Sequence, residues 1–237
     1  TGADPRDIGV ILRAAAAAGA WRYRFADTLG VLDSLSTFES ISRVREETDL
    51  PIEFHGHDDV GLATANTLAA IRGGASHASV TVLGLGERAG NAALEEVGVA
   101  LGHVTRGRSG LHLDQLPSLA KLVARTARRR IGRAKAIVGR DVFTHESGIH
   151  VAALLKDART YQGVDPASLG RRNRLVLAKH SGVAALKKKG AELGYDIDRE
   201  RAAALLAEIR ERANAKAAPM TKGELKNFFK SSCGGAR

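Results

Sequence analysis

Between Trp21 and Leu101 the chain repeats one unit three times: a short apolar run, a polar turn, then a stretch with helical spacing. The runs are Trp21 to Thr28, Pro51 to His57, and His77 to Leu83, the last leading into Gly84-Leu85-Gly86-Glu87-Arg88-Ala89-Gly90-Asn91. The first helix is read from Ser36 with Glu39, a capping box ahead of Phe38, Ile41 and Val44. The second covers roughly Leu62 to Ile71 and the third Ala92 to Leu101. An alanine-rich helix precedes them, with Asp4 as cap, Pro5 in the first turn and a stop at Gly19. Strands alternating with helices dictate a parallel sheet with helical crossovers, which places the chain in the α/β class. A complete (β/α)8 domain takes about 250 residues, yet the pattern is exhausted near residue 101 and the chain opens on Thr1, inside a repeat. The expectation is the C-terminal part of a longer protein, or one half of a split one.

The second run ends in Phe54-His55-Gly56-His57-Asp58-Asp59. Side chains alternate across a strand, so His55 and His57 share a face. The carboxyl end of a parallel strand is where barrel and open α/β enzymes carry their chemistry. Two imidazoles there supply half of a divalent-metal site; the structural alternative is a pair of rim histidines satisfied by hydrogen bonds.

Composition narrows the function classes. A hydrophobic content of 44% lets the chain bury a core. One cysteine, Cys233, in a polar, Gly-rich tail excludes a disulfide framework and suits a cytoplasmic protein. No run reaches transmembrane length. The net charge of +10 comes largely from Arg125 to Lys135, Arg171 to Arg174 and Lys187 to Lys189. With aromatics at 4%, those clusters lack the stacking residues of a nucleic-acid surface and read as solvated faces that attract anionic small molecules.

Past residue 101 the organisation changes. Gly102 to Leu113 reads as a linker, and Asp114 as the cap of a helix carrying Leu116, Leu119, Ala120 and Val123. The segment Phe143-Thr144-His145-Glu146-Ser147-Gly148-Ile149-His150 is dense in titratable groups; either it carries chemistry, or Thr144 and Glu146 open a helix. A short strand is expected from Arg174 to Ala178, and a helix after Lys179-His180-Ser181-Gly182. An amphipathic helix should run from Asp198 to about Ala213, and another should start at Thr221 with Glu224 as its box partner. The division expected is 1–103, 104–142 and 143–237.

Five blocks, FADTLGVLD, IEFHGHDDVGLATANTLAAI, TVLGLGERAGNAALEE, FTHESGIHVAALLKDARTY and RLVLAKHSG, occur here in order. With them the chain resembles the homocitrate synthase and 2-isopropylmalate synthase family, most of all its nitrogen-fixation branch in bacteria. Asp58 stands where many relatives have asparagine, and Ala178 where glycine is usual. The resemblance implies the last three βα units of a TIM barrel, followed by small helical subdomains swapped onto a partner's barrel in a homodimer.

It also implies the chemistry. Acetyl-CoA loses a methyl proton, attacks the keto carbon of a 2-oxo acid, and the thioester is hydrolysed. By the resemblance His55, His57 and Asn91 bind a divalent ion (Mg, Mn or Zn), and Thr28 helps to hold the 2-oxo acid. His150 serves as general base and Tyr161 stands beside it, both crossing from the second protomer, with Glu146 a local candidate for orienting the base. The family's metal-binding aspartate and its neighbouring arginine have no counterpart here. Only 55 residues follow Gly182, too few for the regulatory domain of leucine-regulated relatives. That favours 2-oxoglutarate, giving homocitrate, over 2-oxoisovalerate. The alternatives are a 2-isopropylmalate synthase, a lyase running the related cleavage, and a non-catalytic subunit lending residues to a partner such as an N-terminal half-barrel.

Overall fold

The computed structural model describes residues 5–104 and 110–233; Asp4, expected as a cap, and part of the expected linker lie outside them. The chain divides into two compact units, Thr1–Val142 and Phe143–Arg237.

The first unit runs α1 (Pro5–Ala17), β1 (Tyr23–Asp27), α2 (Ser34–Glu47), β2 (Ile52–Gly56), α3 (Ala63–Arg72), β3 (His77–Ser79), α4 (Leu94–Val104) and α5 (Leu116–Thr126). The strands pair in parallel in the order β1-β2-β3, with Phe25 opposite Phe54, Ala26 opposite His55, and Ser79 opposite His55 from the other side. Alternation sorts the sheet into two faces. Phe25, Ile52 and Phe54 join Leu12, Ile41, Val44 and Ala70 in a buried core under the helices. A side chain as buried as Phe54 contributes about 2–3 kcal/mol through its burial. The other face is polar, with Glu53 buried between the guanidinium groups of Arg22 and Arg24, each at 2.5 Å. His55 follows Glu53 on that face.

Three local readings need correction. Helix α2 is capped by Asp33, not Ser36: the Asp33 carboxylate accepts from the backbone N–H groups of Leu35 and Ser36, and the Ser36 hydroxyl donates to it at 2.7 Å. The third strand ends at Ser79, short of the expected Leu83: Thr81 makes only an isolated bridge to Ala93, and Leu83 lies in a 3-10 turn with a left-handed φ of 62°, its N–H donating to the buried Glu95 carboxylate. Asp114 lies inside a 3-10 turn, Leu113–Gln115, that feeds α5, and is not a cap.

The second unit runs β4 (Thr144–His145), α6 (Gly148–Lys156), β5 (Arg174–Leu175), α7 (Val183–Glu192), α8 (Arg199–Lys216) and α9 (Lys222–Cys233). β4 and β5 pair in parallel, and the helices enclose a core including Leu177, Leu186, Ile209, Phe228 and Phe229. Cys233 packs against that core, so it belongs to a helix end and not to a solvated tail. Asp198 caps α8, and Thr221 with Glu224 forms the expected reciprocal box: Thr221 N–H donates to Glu224 Oε2 at 2.6 Å, and Glu224 N–H to Thr221 Oγ1 at 3.2 Å.

The Lys216 ammonium, 2.6 Å away, and the Thr221 donors lower the Glu224 carboxyl from its ordinary 4.5 to about 2. A carboxyl depressed on folding stabilises above its unfolded value, and that contribution disappears as pH falls from about 4.5 towards about 2. Glu224→Gln should therefore lower the denaturation midpoint at neutral pH, and the gap to the parent chain should close over that acid range. A gap independent of pH would show that the box acts without its charge.

Candidate active site

The loops after β1, β2 and β3 are tied together by their own polar groups. Asp27 is fully buried at the end of β1, and its carboxylate accepts from the N–H groups of Gly30, Val31 and Leu32, which fixes the turn that carries Thr28. Asp58 Oδ1 accepts from Ala63 N–H and so starts α3. Arg88 spans the rest. Its guanidinium donates to both carboxylate oxygens of Asp59, at 2.8 and 3.0 Å, and to the Thr28 carbonyl at 2.7 Å. That bidentate pair holds the Asp59 carboxyl below its usual range and offsets the left-handed φ of 54° at Arg88.

Within this frame the two histidine rings meet edge to face, with centroids 4.9 Å apart. Ser79, across the ladder, contacts His55 Nδ1 at 3.2 Å, leaving Nε2 as the ring's other donor atom. Burial, with the neighbouring His57 and Arg24, lowers the His55 pKa against the opposing pull of Glu53, so the ring keeps a lone pair. His57 pairs with Asn91 in an antiparallel bridge as the Gly84–Asn91 loop folds back. Gly90 permits that return: its φ is +99° and a side chain there would collide with the Gly84 carbonyl. Asn91 Nδ2 donates to the Leu85 carbonyl at 3.0 Å, which fixes the amide. Asn91 Oδ1 and His57 Nδ1 are then buried with no hydrogen-bond partner. Unsatisfied buried polar atoms are costly and rare. Two imidazoles and an amide oxygen are donors that a divalent cation accepts, so the residues present fit the group. Among the described residues no cluster of three or more His, Cys, Asp or Glu side chains could hold a metal.

In the second unit His150 and Tyr161 stack, with centroids at 4.0 Å and 19° between planes, and His145 meets Tyr161 edge-on at 5.8 Å. His150 and Tyr161 are both exposed. The local reading with Thr144 as a helix cap fails, since Thr144 sits in β4 and the cap position is Ser147. Glu146 Oε1 accepts the His180 N–H at 2.9 Å. Gly148 and Gly182 meet back to back, and a Cβ on either would lie 2.7 Å from the other's Cα. The two motifs therefore cross where neither tolerates a side chain, and Gly148 N–H bonds the His180 carbonyl at 3.0 Å.

A family model described as HMGL-like matches residues 1–123, and one described as homocitrate synthase post-HMGL domain-like matches residues 137–217. The chain belongs to the homocitrate synthase and 2-isopropylmalate synthase family. It is 44% identical over 217 residues to 2-isopropylmalate synthase 2 of Caldanaerobacter subterraneus subsp. tengcongensis, covering 92% of this chain and 56% of the relative. To the homocitrate synthase of Frankia alni it is 50% identical over 169 residues, 71% of this chain and 48% of the relative. Homocitrate synthase 1 of Nostoc sp. is 40% identical over 212 residues, covering 90% and 56%. The chain thus spans about half the length of these relatives. In this family context the three-stranded sheet is the last part of a TIM barrel, and the second unit is the helical segment that follows.

Of the site residues expected from the family motifs, the structure brings His55 to His57, His57 to Asn91, and His150 to Tyr161, and ties Thr28 in through its backbone carbonyl. The motifs did not announce Asp27, Ser79, Asp59 or Arg88. Ser79 was recoverable from strand alternation and register opposite His55; the Asp59–Arg88 pair spans two loops and leaves no periodic trace.

Proposed function

We propose that the protein containing this chain is an acyltransferase that condenses acetyl-CoA and water with a 2-oxo acid, and that the acceptor is 2-oxoglutarate, giving homocitrate and CoA. The observation that carries this reading is the pair of neighbouring imidazoles beside the buried, unsatisfied amide oxygen of Asn91 at the carboxyl ends of the strands. His55, His57 and Asn91 would hold a divalent ion (Mg, Mn or Zn), which supplies Lewis-acid polarisation of the acceptor's keto group. Thr28 holds the distal part of the 2-oxo acid from the turn shaped by Asp27. His150 takes the methyl proton of acetyl-CoA, and Tyr161 fixes its ring by stacking. Both residues act on the barrel of a second protomer, so the working unit is a homodimer with exchanged C-terminal regions. The 50% identity to a homocitrate synthase supports 2-oxoglutarate; the 44% identity over most of the chain to a 2-isopropylmalate synthase supports 2-oxoisovalerate as the competing acceptor.

Release of free thiol from acetyl-CoA tests the proposal. The full-length protein should show metal-dependent release with 2-oxoglutarate, faster than with 2-oxoisovalerate. The 237-residue chain alone should show none, because three strands do not enclose a site. Faster release with 2-oxoisovalerate would reverse the choice of acceptor, and no release with any 2-oxo acid would remove the condensing activity.

A further inference from the structure

His145 is absent from the chemistry above, yet its surroundings are specific. Its Nε2 lies 3.0 Å from Asn173 Oδ1, Asn173 Nδ2 donates to Gln162 Oε1 at 2.8 Å, and Gln162 Nε2 donates to Asp165 Oδ1 at 3.1 Å. The direction follows from its far end. Asp165 already accepts the Ala167 N–H at 3.0 Å, and an ionised carboxylate only accepts, so Gln162 must turn its NH2 towards it. Gln162 then offers its carbonyl to Asn173, Asn173 offers its own carbonyl to His145, and His145 must carry a proton on Nε2. These groups are partly or fully exposed, where such bonds add only about 0.5–1.5 kcal/mol each. Stability alone is a weak reason for four matched polar groups. Their geometric product is more specific: Gln162 adjoins Tyr161, the His145 and Tyr161 rings meet edge to face, and Tyr161 stacks on His150.

We infer that His145, Asn173, Gln162 and Asp165 form a directional relay that fixes the His145 tautomer and clamps Tyr161 against His150, which makes His145 a positioning residue for the base. The role assigned to His150 rests on the proposed condensation; the relay itself does not. An imidazole held by a rigid neighbour is presented to a substrate methyl group in one orientation, and a misplacement of about 1 Å can cost about 100-fold in rate.

Two-bond proton–nitrogen spectra of the 15N-labelled chain, taken where histidines are neutral, test the relay without turnover. His145 should show protonated Nε2 and bare Nδ1, and the His150 signals should carry the ring-current shift of Tyr161. Gln162→Leu frees the Asn173 amide to rotate, so both His145 tautomers should appear. Asn173→Leu, with its melting temperature checked, should abolish the tautomer preference and move the His150 signals towards those of an unstacked ring. In the full-length enzyme Asn173→Leu should lower kcat about tenfold or more with KM for the 2-oxo acid little changed. Adding His145→Ala should cost little further, as expected for two members of one chain of contacts. A proton on Nδ1 of His145, or unmoved His150 signals in folded Asn173→Leu, would overturn the relay. Loss of condensing activity from the parent enzyme would overturn the function instead and leave these spectra intact.

Discussion

Replacing His57 with alanine in the full-length protein is expected to lower condensation by more than an order of magnitude and to remove the bound metal. The reason lies in the shortage of donors. Nδ1 of His57 and Oδ1 of Asn91 are buried polar atoms without a hydrogen-bond partner, and His55 supplies the second ring. With so few protein ligands, deleting one leaves a position that water fills and weakens the hold on the ion. His55→Ala should behave alike. Metal analysis alongside the thiol assay decides the matter: full metal content with full activity in both variants would make the two rings structural.

If His150 is the base proposed above, His150→Ala should lower kcat by about 100-fold or more while KM for the 2-oxo acid changes little, because the proposed acceptor site lies on other residues and only proton removal would be lost. His150 stands on α6, far in sequence from β2, which carries His55, and from His57 just after it. That separation permits a second reading of the same variant. If His150 and Tyr161 serve the opposite barrel, mixing inactive His150→Ala chains with inactive His57→Ala chains should restore part of the activity, since each mixed dimer then holds one intact site. Verified mixed dimers without activity would place His150 in the site of its own chain.

How far the sequence carried the reading differs between the two units. Period-2 alternation around Phe54 and His55, and helical spacing in Ile41 and Val44, were enough for three parallel strands and their crossovers, because burial on one face writes itself into the chain. The capping box at Thr221 and Glu224 was legible for a different reason: both partners lie within one turn. Asp33 displaced Ser36 as a cap because a carboxylate three residues earlier could take two backbone donors, and both residue types satisfy the same pattern. Leu83 was invisible, since nothing in an apolar run marks the residue that will turn left-handed. The site residues were named through family motifs, and the contacts that set them in place were not. Ser79, Arg88, Asn173 and Gln162 meet their partners across 24, 29, 28 and 11 residues of chain, respectively, and pairings at such distances follow from the fold and not from local spacing.

The guanidinium of Arg88 has a practical consequence. Because one side chain grips Asp59 in the loop after β2 and the Thr28 carbonyl after β1, while its own loop carries Asn91, these three segments have lost their independence. Moving any one of them breaks bonds to the other two. Anyone re-engineering acceptor choice by transplanting loops between relatives should exchange all three together, since a single graft would inherit a partner shaped for a different neighbour.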